Sequence, residues 1–266
     1  MTIKIAHEAP NEIFQMVQQL TDYDYCLVHL MDESEEYRDN FLRAKKQGRE
    51  IILDNSIFEL GTAFNGIEYH KWITELKPTY FIIPDVLESM EGTIKNFRDW
   101  QNVRTPGSKR IAVLQGKSYQ ELCECYRVFL EGQVDKIGVS FDYSFYENSI
   151  PYARNVRSPQ HLWMLGRIQL IESLMQEPFF DPNMPLHLLG ISLPQEYLAY
   201  QNYNFIDSMD SSGPVIHGLK GILYNPLTGL QHKESVKLFT LIDSDVNFKQ
   251  IEHIMQNIET FKNFCS

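Results

Sequence analysis

Short runs of apolar and β-branched residues recur along the chain, each followed by a longer stretch with helical spacing of its apolar positions. That alternation predicts parallel strands joined by crossover helices. The runs fall at 26–31, 50–53, 80–83, 110–114, 136–139, 186–190 and 204–206, with a weaker eighth near 221–224. Their near-continuous hydrophobicity fits strands covered on both faces. Helical spacing occupies 33–47, 67–76, 90–102, 119–130, 159–175 and 193–202. A closing amphipathic helix over 247–264 is marked by Ile251, Ile254, Met255, Ile258 and Phe261 at i, i+3, i+4, i+7 spacing. The pattern predicts one α/β domain over 1–266, a single (β/α)8 TIM-type barrel. One irregular stretch, 141–158, interrupts it with Tyr143, Phe145, Tyr146, Tyr152, Arg154 and Arg157. Loops of that length often serve as lids or binding loops, and this mixture suits base stacking and phosphate contact as well as plain packing over the core.

Barrel enzymes place their chemistry where strands end at the C-terminal face. Here the residues at those ends are polar: Asp54, Asp85, Gln115 with Gly116, Gly138 within KIGVSFD, Gly190, and Asp207 with Asp210. A lone Asp after a strand is usually a helix cap or turn former. Several carboxylates aimed at one rim raise one another's pKa and divide into a proton donor and an ionised base or nucleophile. Glycosyl transfer at an anomeric carbon needs that division.

Composition narrows the picture. The 266 residues are 43% hydrophobic, enough for one large core, and the net charge of −11 argues against indiscriminate nucleic-acid binding. Local basic clusters (Lys45, Lys46, Arg49; Arg104, Lys109, Arg110; Arg154, Arg157) read singly as solvated faces. Of the four cysteines only Cys123 and Cys125 are close in sequence, and two residues apart on a helix they diverge, so reduced thiols are expected and no metal site. No run approaches the ~18 apolar residues of a membrane span, and MTIKIAHEAPNEIF lacks a signal-peptide core. The expectation is a soluble cytoplasmic protein without a membrane partner.

Six short motifs in order resemble those of the guanine transglycosylase superfamily: the tRNA-guanine transglycosylases and their shorter phage-type relatives that place 7-deazaguanines in DNA. Asp54-Asn55-Ser56-Ile57-Phe58 is similar to the family's Asp-Ser-Gly-(Gly/Ala)-Phe, and Asp85 to its substrate-recognising aspartate. Leu114-Gln115-Gly116 resembles Val-Gln-Gly, Ile137-Gly138-Val139 the following Gly-containing strand, and His187-Leu188-Leu189-Gly190 the His-Leu-Met-Gly strand. Phe205-Ile206-Asp207-Ser208 is similar to the nucleophile motif Phe-Asp-(Ser/Cys), with Ile206 as an extra residue. The likeness runs from about Cys26 to Gly218. Ser56 and Ile57 stand where the family has glycines, and no Cys-x-Cys-x-x-Cys zinc pattern follows Asp207.

The resemblance implies a barrel without a zinc subdomain and without a cofactor, closest to the phage-type DNA enzymes, with the host cytoplasm as location for a phage-encoded chain. It implies that Asp207 attacks C1′ of a deoxyguanosine and forms a covalent sugar intermediate, which a 7-deazaguanine such as preQ0 resolves, while Asp54 moves the proton. Asp85 then reads the base, Gln115 and the Gly138 backbone address its carbonyl edge, Phe58 stacks on it, and Gly116 and Gly190 are further substrate-binding residues. Asp210 is the reserve nucleophile. The partners implied are DNA, with tRNA as the alternative, and free guanine or a 7-deazaguanine base; the acidic net charge adds a protein partner supplying basic surface. His187 reads as a core histidine, and His217 and Arg167 as undecided. The rival readings are a compact tRNA enzyme, a non-catalytic nucleic-acid-binding subunit, and a small-glycoside hydrolase.

Overall fold

The computed structural model describes residues 3–141, 143–150, 158–232, 234 and 236–265. Its frame is one sheet of eight parallel strands: β1 (Lys4–Ala6), β2 (Asp24–Leu27), β3 (Ile51–Asp54), β4 (Tyr80–Ile82), β5 (Lys109–Val113), β6 (Lys136–Val139), β7 (Leu186–Leu188) and β8 (Ile206–Asp210). The spatial order β1-β8-β7-β6-β5-β4-β3-β2 wraps the sheet into a nearly closed barrel. The remaining seam between β1 and β2 is bridged by Asp22, whose N–H donates to Ile5 O (2.9 Å) and whose carboxylate accepts from Ile5 N (2.8 Å). β2, β3, β6 and β7 are buried along their whole length, which accounts for their uninterrupted apolar runs.

Five helices cross between successive strands: Glu35–Lys46, Gly66–Leu76, Met90–Gln101, Tyr119–Glu131 and Pro159–Leu174. Each begins at a short polar residue, Ser34, Asn65, Ser89, Ser118 or Ser158, whose side chain accepts a first-turn N–H. The C-terminal helix Phe248–Phe264 opens with a capping box between Asn247 and Gln250. It packs on the helix Gly213–Leu219, where a Cβ on Gly218 would stand 2.4 Å from Ile254 Cγ1. No helix among the described residues is long and apolar enough to cross a membrane.

Several sequence expectations are corrected. The missing first strand is the three-residue β1, too short to leave a periodic signal, and the segment near 221–224 is not a strand. β2 stops at Leu27 and turns directly into the helix Val28–Glu33. The segment at 193–202 forms a 3-10 helix, Pro194–Ala199. Within 141–158 the chain forms a short helix, Ser144–Ser149, with Tyr143 and Tyr146 buried, while Tyr152, Arg154 and Arg157 lie outside the described residues. The largest correction concerns β8. It does not end at Ile206 but begins there and runs to Asp210, because Ser208 and Asp210 are polar residues inside the barrel wall.

Candidate active site

Around the C-terminal ends of the strands lies a cleft of about 600 Å3 lined by Asp54, Asp85, Gln115, Gly190 and Asp210, with Phe58, Phe141 and Trp163 at its side. The size suits a small ligand.

Asp54 is the last residue of β3, buried, and its Oδ2 accepts the Ser56 N–H at 2.8 Å. Burial, and then the nearby Glu59 carboxylate, push the Asp54 carboxyl well above the usual carboxylate range, against the pull of that N–H. Ser56 holds a left-handed backbone (φ 59°), the region that favours glycine. Its hydroxyl lies 2.8 Å from His29 Nδ1. The serine thus adopts a glycine-like conformation that an L-residue ordinarily avoids and anchors it with a side-chain bond.

Asp85 follows β4 and is held on both oxygens: Asn55 Nδ2 donates to Oδ1 (2.7 Å) and Gln115 Nε2 to Oδ2 (2.5 Å). Gln115 is fixed in turn by the Glu88 N–H on its Oε1 (2.7 Å), and Asn55 by Ile83 O and the Ile57 N–H. Each Asp85 oxygen keeps a lone pair for a ligand, so two adjacent N–H groups can be read side by side. Burial raises the Asp85 carboxyl in spite of both amide donors. Gln115 therefore orients Asp85 through its Nε2–H.

Asp210 closes β8, 5% exposed. The Gly190 N–H lies 3.2 Å from each of its oxygens, and His187 Nε2 lies 3.2 Å from Oδ1. Gly190 has φ 62°, and a Cβ there would meet Phe141 Cδ1 at 2.4 Å, so the position demands glycine twice over. Gly190→Ala is expected to cost about 2 kcal/mol or more and to displace Phe141; chemical denaturation measures the first and the fluorescence of Trp163, 6.0 Å from that ring, reports the second.

Asp207 stands elsewhere. β8 advances from Ile206, opposite Leu186, to Ser208, opposite His187, so Asp207 is the extra residue of a β-bulge near the N-terminal end of the strand. Its Oδ2 takes the buried Lys136 ammonium at 2.5 Å, at the start of β6 and the rim opposite the cleft. Burial alone would raise the Asp207 carboxyl, but Lys136 outweighs it and holds it below the usual range. Asp207, the nucleophile expected from the sequence, is thus not brought to the cleft; Asp210 shares it with Asp54 and Asp85.

Gly116 and Gly138 do not line the cleft among its described residues. A Cβ on Gly116 would press on Glu121 Cβ at 2.7 Å and one on Gly138 on Leu189 Cδ1 at 2.9 Å, so both glycines are packing requirements. Phe58 is at the rim, 42% exposed, edge-on to Phe141 at 5.2 Å, with Lys237 Nζ 4.7 Å over its ring and bonded to its carbonyl (2.8 Å). His217 is buried with Nδ1 2.7 Å from Gly213 O, outside the cleft lining. Arg167 is fully buried and paired with Glu196. Sequence reasoning missed Tyr25, Glu59, Glu88, Trp163 and Lys237 in the lining, none of which carries a motif. The four cysteines are free and buried, and no group of three metal-binding side chains gathers among the described residues.

No family model and no curated protein matches the chain.

Proposed function

We propose that the protein is a base-exchange transglycosylase that replaces guanine in DNA with a 7-deazaguanine such as preQ0. The observation that supports this most is the set of three carboxylates on one rim in three different environments: Asp85 locked by two amides, Asp54 pushed toward its protonated form, and Asp210 held by a backbone N–H. Asp85 accepts the N1–H and exocyclic amine of the base. Asp210 attacks C1′, the C1′–N9 bond breaks, and the departing base takes a proton from Asp54. The incoming base returns a proton to Asp54 and displaces Asp210 from C1′. Apart from Lys237, the charged residues of the lining are acidic, so only a flipped base and its sugar suit the cleft and the phosphates stay outside. DNA is chosen over tRNA on the resemblance, since the zinc pattern of the tRNA enzymes has no counterpart after Asp207.

Incorporation of labelled guanine or preQ0 into duplex DNA, single-stranded DNA and tRNA, with Asp210→Ala as control, tests the reading. Label in DNA that the variant fails to incorporate supports it. Label in tRNA alone overturns the polymer, and guanine release without incorporation points to a hydrolase.

Asp54 also ties the reaction to pH. As its protonated form serves the departing base, turnover falls as pH rises through its elevated pKa. The same elevation means its favourable contribution to stability is present below the ordinary carboxylate pKa and is lost as pH rises through the folded value. Asp54→Asn is accordingly expected to lose activity yet gain at least about 1 kcal/mol over wild type at pH 8, with little gain at pH 4, in paired thermal melts.

A further inference from the structure

A polar column runs through the barrel interior and ends at Asp210. Lys136 Nζ, buried above the Tyr80 ring (4.2 Å), donates to Asp207 and to Ser208 Oγ (3.0 Å). Ser208 Oγ lies 3.1 Å from His187 Nδ1. His187 Nε2 faces Asp210 Oδ1 at 3.2 Å. Lys136, Ser208 and His187 are all fully buried.

The direction of the hydrogens follows from what each group carries. An ammonium only donates, so the Ser208 oxygen accepts from Lys136; its single proton has two acceptors in reach, the Asp207 carboxylate and His187 Nδ1, and since Asp207 already takes the Lys136 ammonium the hydroxyl serves His187. An imidazole that accepts at Nδ1 carries its proton on Nε2, the atom facing the carboxylate. The remaining ring neighbours are Tyr25, stacked at 5.9 Å, and Tyr23, edge-on at 6.4 Å. Both hydroxyls are kept un-ionised by burial, and burial also lowers the His187 pKa in spite of Asp210, so the ring stays neutral. The Nε2–Oδ1 pair is at contact distance but off line.

We propose that His187 is a positioning residue for Asp210: its Nε2–H tautomer, set by Lys136 through Ser208, directs one hydrogen bond at Oδ1 while the Gly190 N–H supplies another, so that the carboxylate is presented to C1′ in one orientation. The proposal rests on Asp210 as nucleophile. Lys136 contributes from the far rim without touching substrate, and Asp207 acts as its counterion.

Nitrogen NMR of the imidazoles in the full-length protein reads the tautomer without any turnover. The expected result is a neutral His187 ring protonated at Nε2 and unchanged from pH 6 to 9, shifting toward a tautomer mixture in Ser208→Ala. A ring protonated at Nδ1, or an imidazolium, overturns the proposal whatever Asp210 does. In base-exchange assays His187→Ala is expected to lower kcat about 10- to 100-fold, the rate equivalent of one lost hydrogen bond to a charged group, with KM little changed. His187→Gln, which restores an N–H near Nε2, is expected to recover most of that loss. Equal kcat for folded His187→Gln and His187→Ala overturns the positioning role. Full exchange by Asp210→Asn overturns the nucleophile instead, and leaves the tautomer result standing by itself.

Discussion

Asp210→Asn is expected to lower base exchange by about 1000-fold or more, whereas Asp207→Asn lowers it far less, by no more than the about 10- to 100-fold expected for His187→Ala, and destabilises the fold. The two aspartates are three residues apart in one strand and sit on opposite rims of the barrel. An amide at 210 keeps an acceptor for the Gly190 N–H but is no nucleophile, so folding survives and chemistry does not. An amide at 207 removes the counterion of Lys136, which is wholly buried. Breaking a fully buried pair costs about 3–5 kcal/mol, and because the Asp207 side chain is 37% exposed a discounted loss of about 1–2 kcal/mol is expected. The sign with pH follows from its depressed pKa: the Asp207 contribution is present above the ordinary carboxylate value and is lost as pH falls through the folded one. Wild type and Asp207→Asn should therefore converge in stability in acid. Single-turnover assays and urea titrations of both variants decide the matter, and a loss of exchange in Asp207→Asn as deep as in Asp210→Asn, at intact fold, would return the nucleophile to the lower rim.

How far the sequence carried this is visible in β8. The alternation of apolar runs and helical stretches was enough for the barrel, since two-sided burial writes strands such as β3 and β6 as unbroken hydrophobic runs. The run NFIDSMD defeats that rule, because Ser208 and Asp210 occupy interior positions for their polar contacts and the bulge at Asp207 changes the phase of alternation. Asp54, Asp85 and Gln115 were legible because each directly follows or ends an apolar run. The roles of Gln115 and Asn55 as supports of Asp85 were not, since they depend on side-chain pairing between neighbouring strand ends. Arg167 was undecidable for a similar reason: nothing within the helix Pro159–Leu174 indicates that its partner, Glu196, waits on the 3-10 helix Pro194–Ala199.

That pair carries the largest expected loss of stability. Arg167 donates from Nε and Nη2 to the two Glu196 oxygens (2.7 and 2.8 Å), and from Nη1 to Leu189 O at 2.7 Å. Tyr200 adds its hydroxyl to Glu196 at 2.8 Å. Arg167→Ala leaves a carboxylate buried beside a single hydroxyl and orphans the carbonyl just before Gly190, so a loss of about 3–5 kcal/mol is expected in urea or thermal unfolding. Replacing both charges, as Arg167→Met with Glu196→Leu, removes the unpaired ion and should recover a good part of that loss, because the penalty for a lone buried charge exceeds the net worth of the pair. Recovery should remain incomplete, since Leu189 O still lacks its donor. The Leu189–Gly190 peptide would then be free to turn, and its N–H is the one that holds Asp210. The double variant should thus be well folded yet slower in base exchange, separating what the ion pair does for the fold from what the Arg167 bond to Leu189 O does for the site. Equal exchange by wild type and the double variant would show instead that Gly190 needs no support from Arg167.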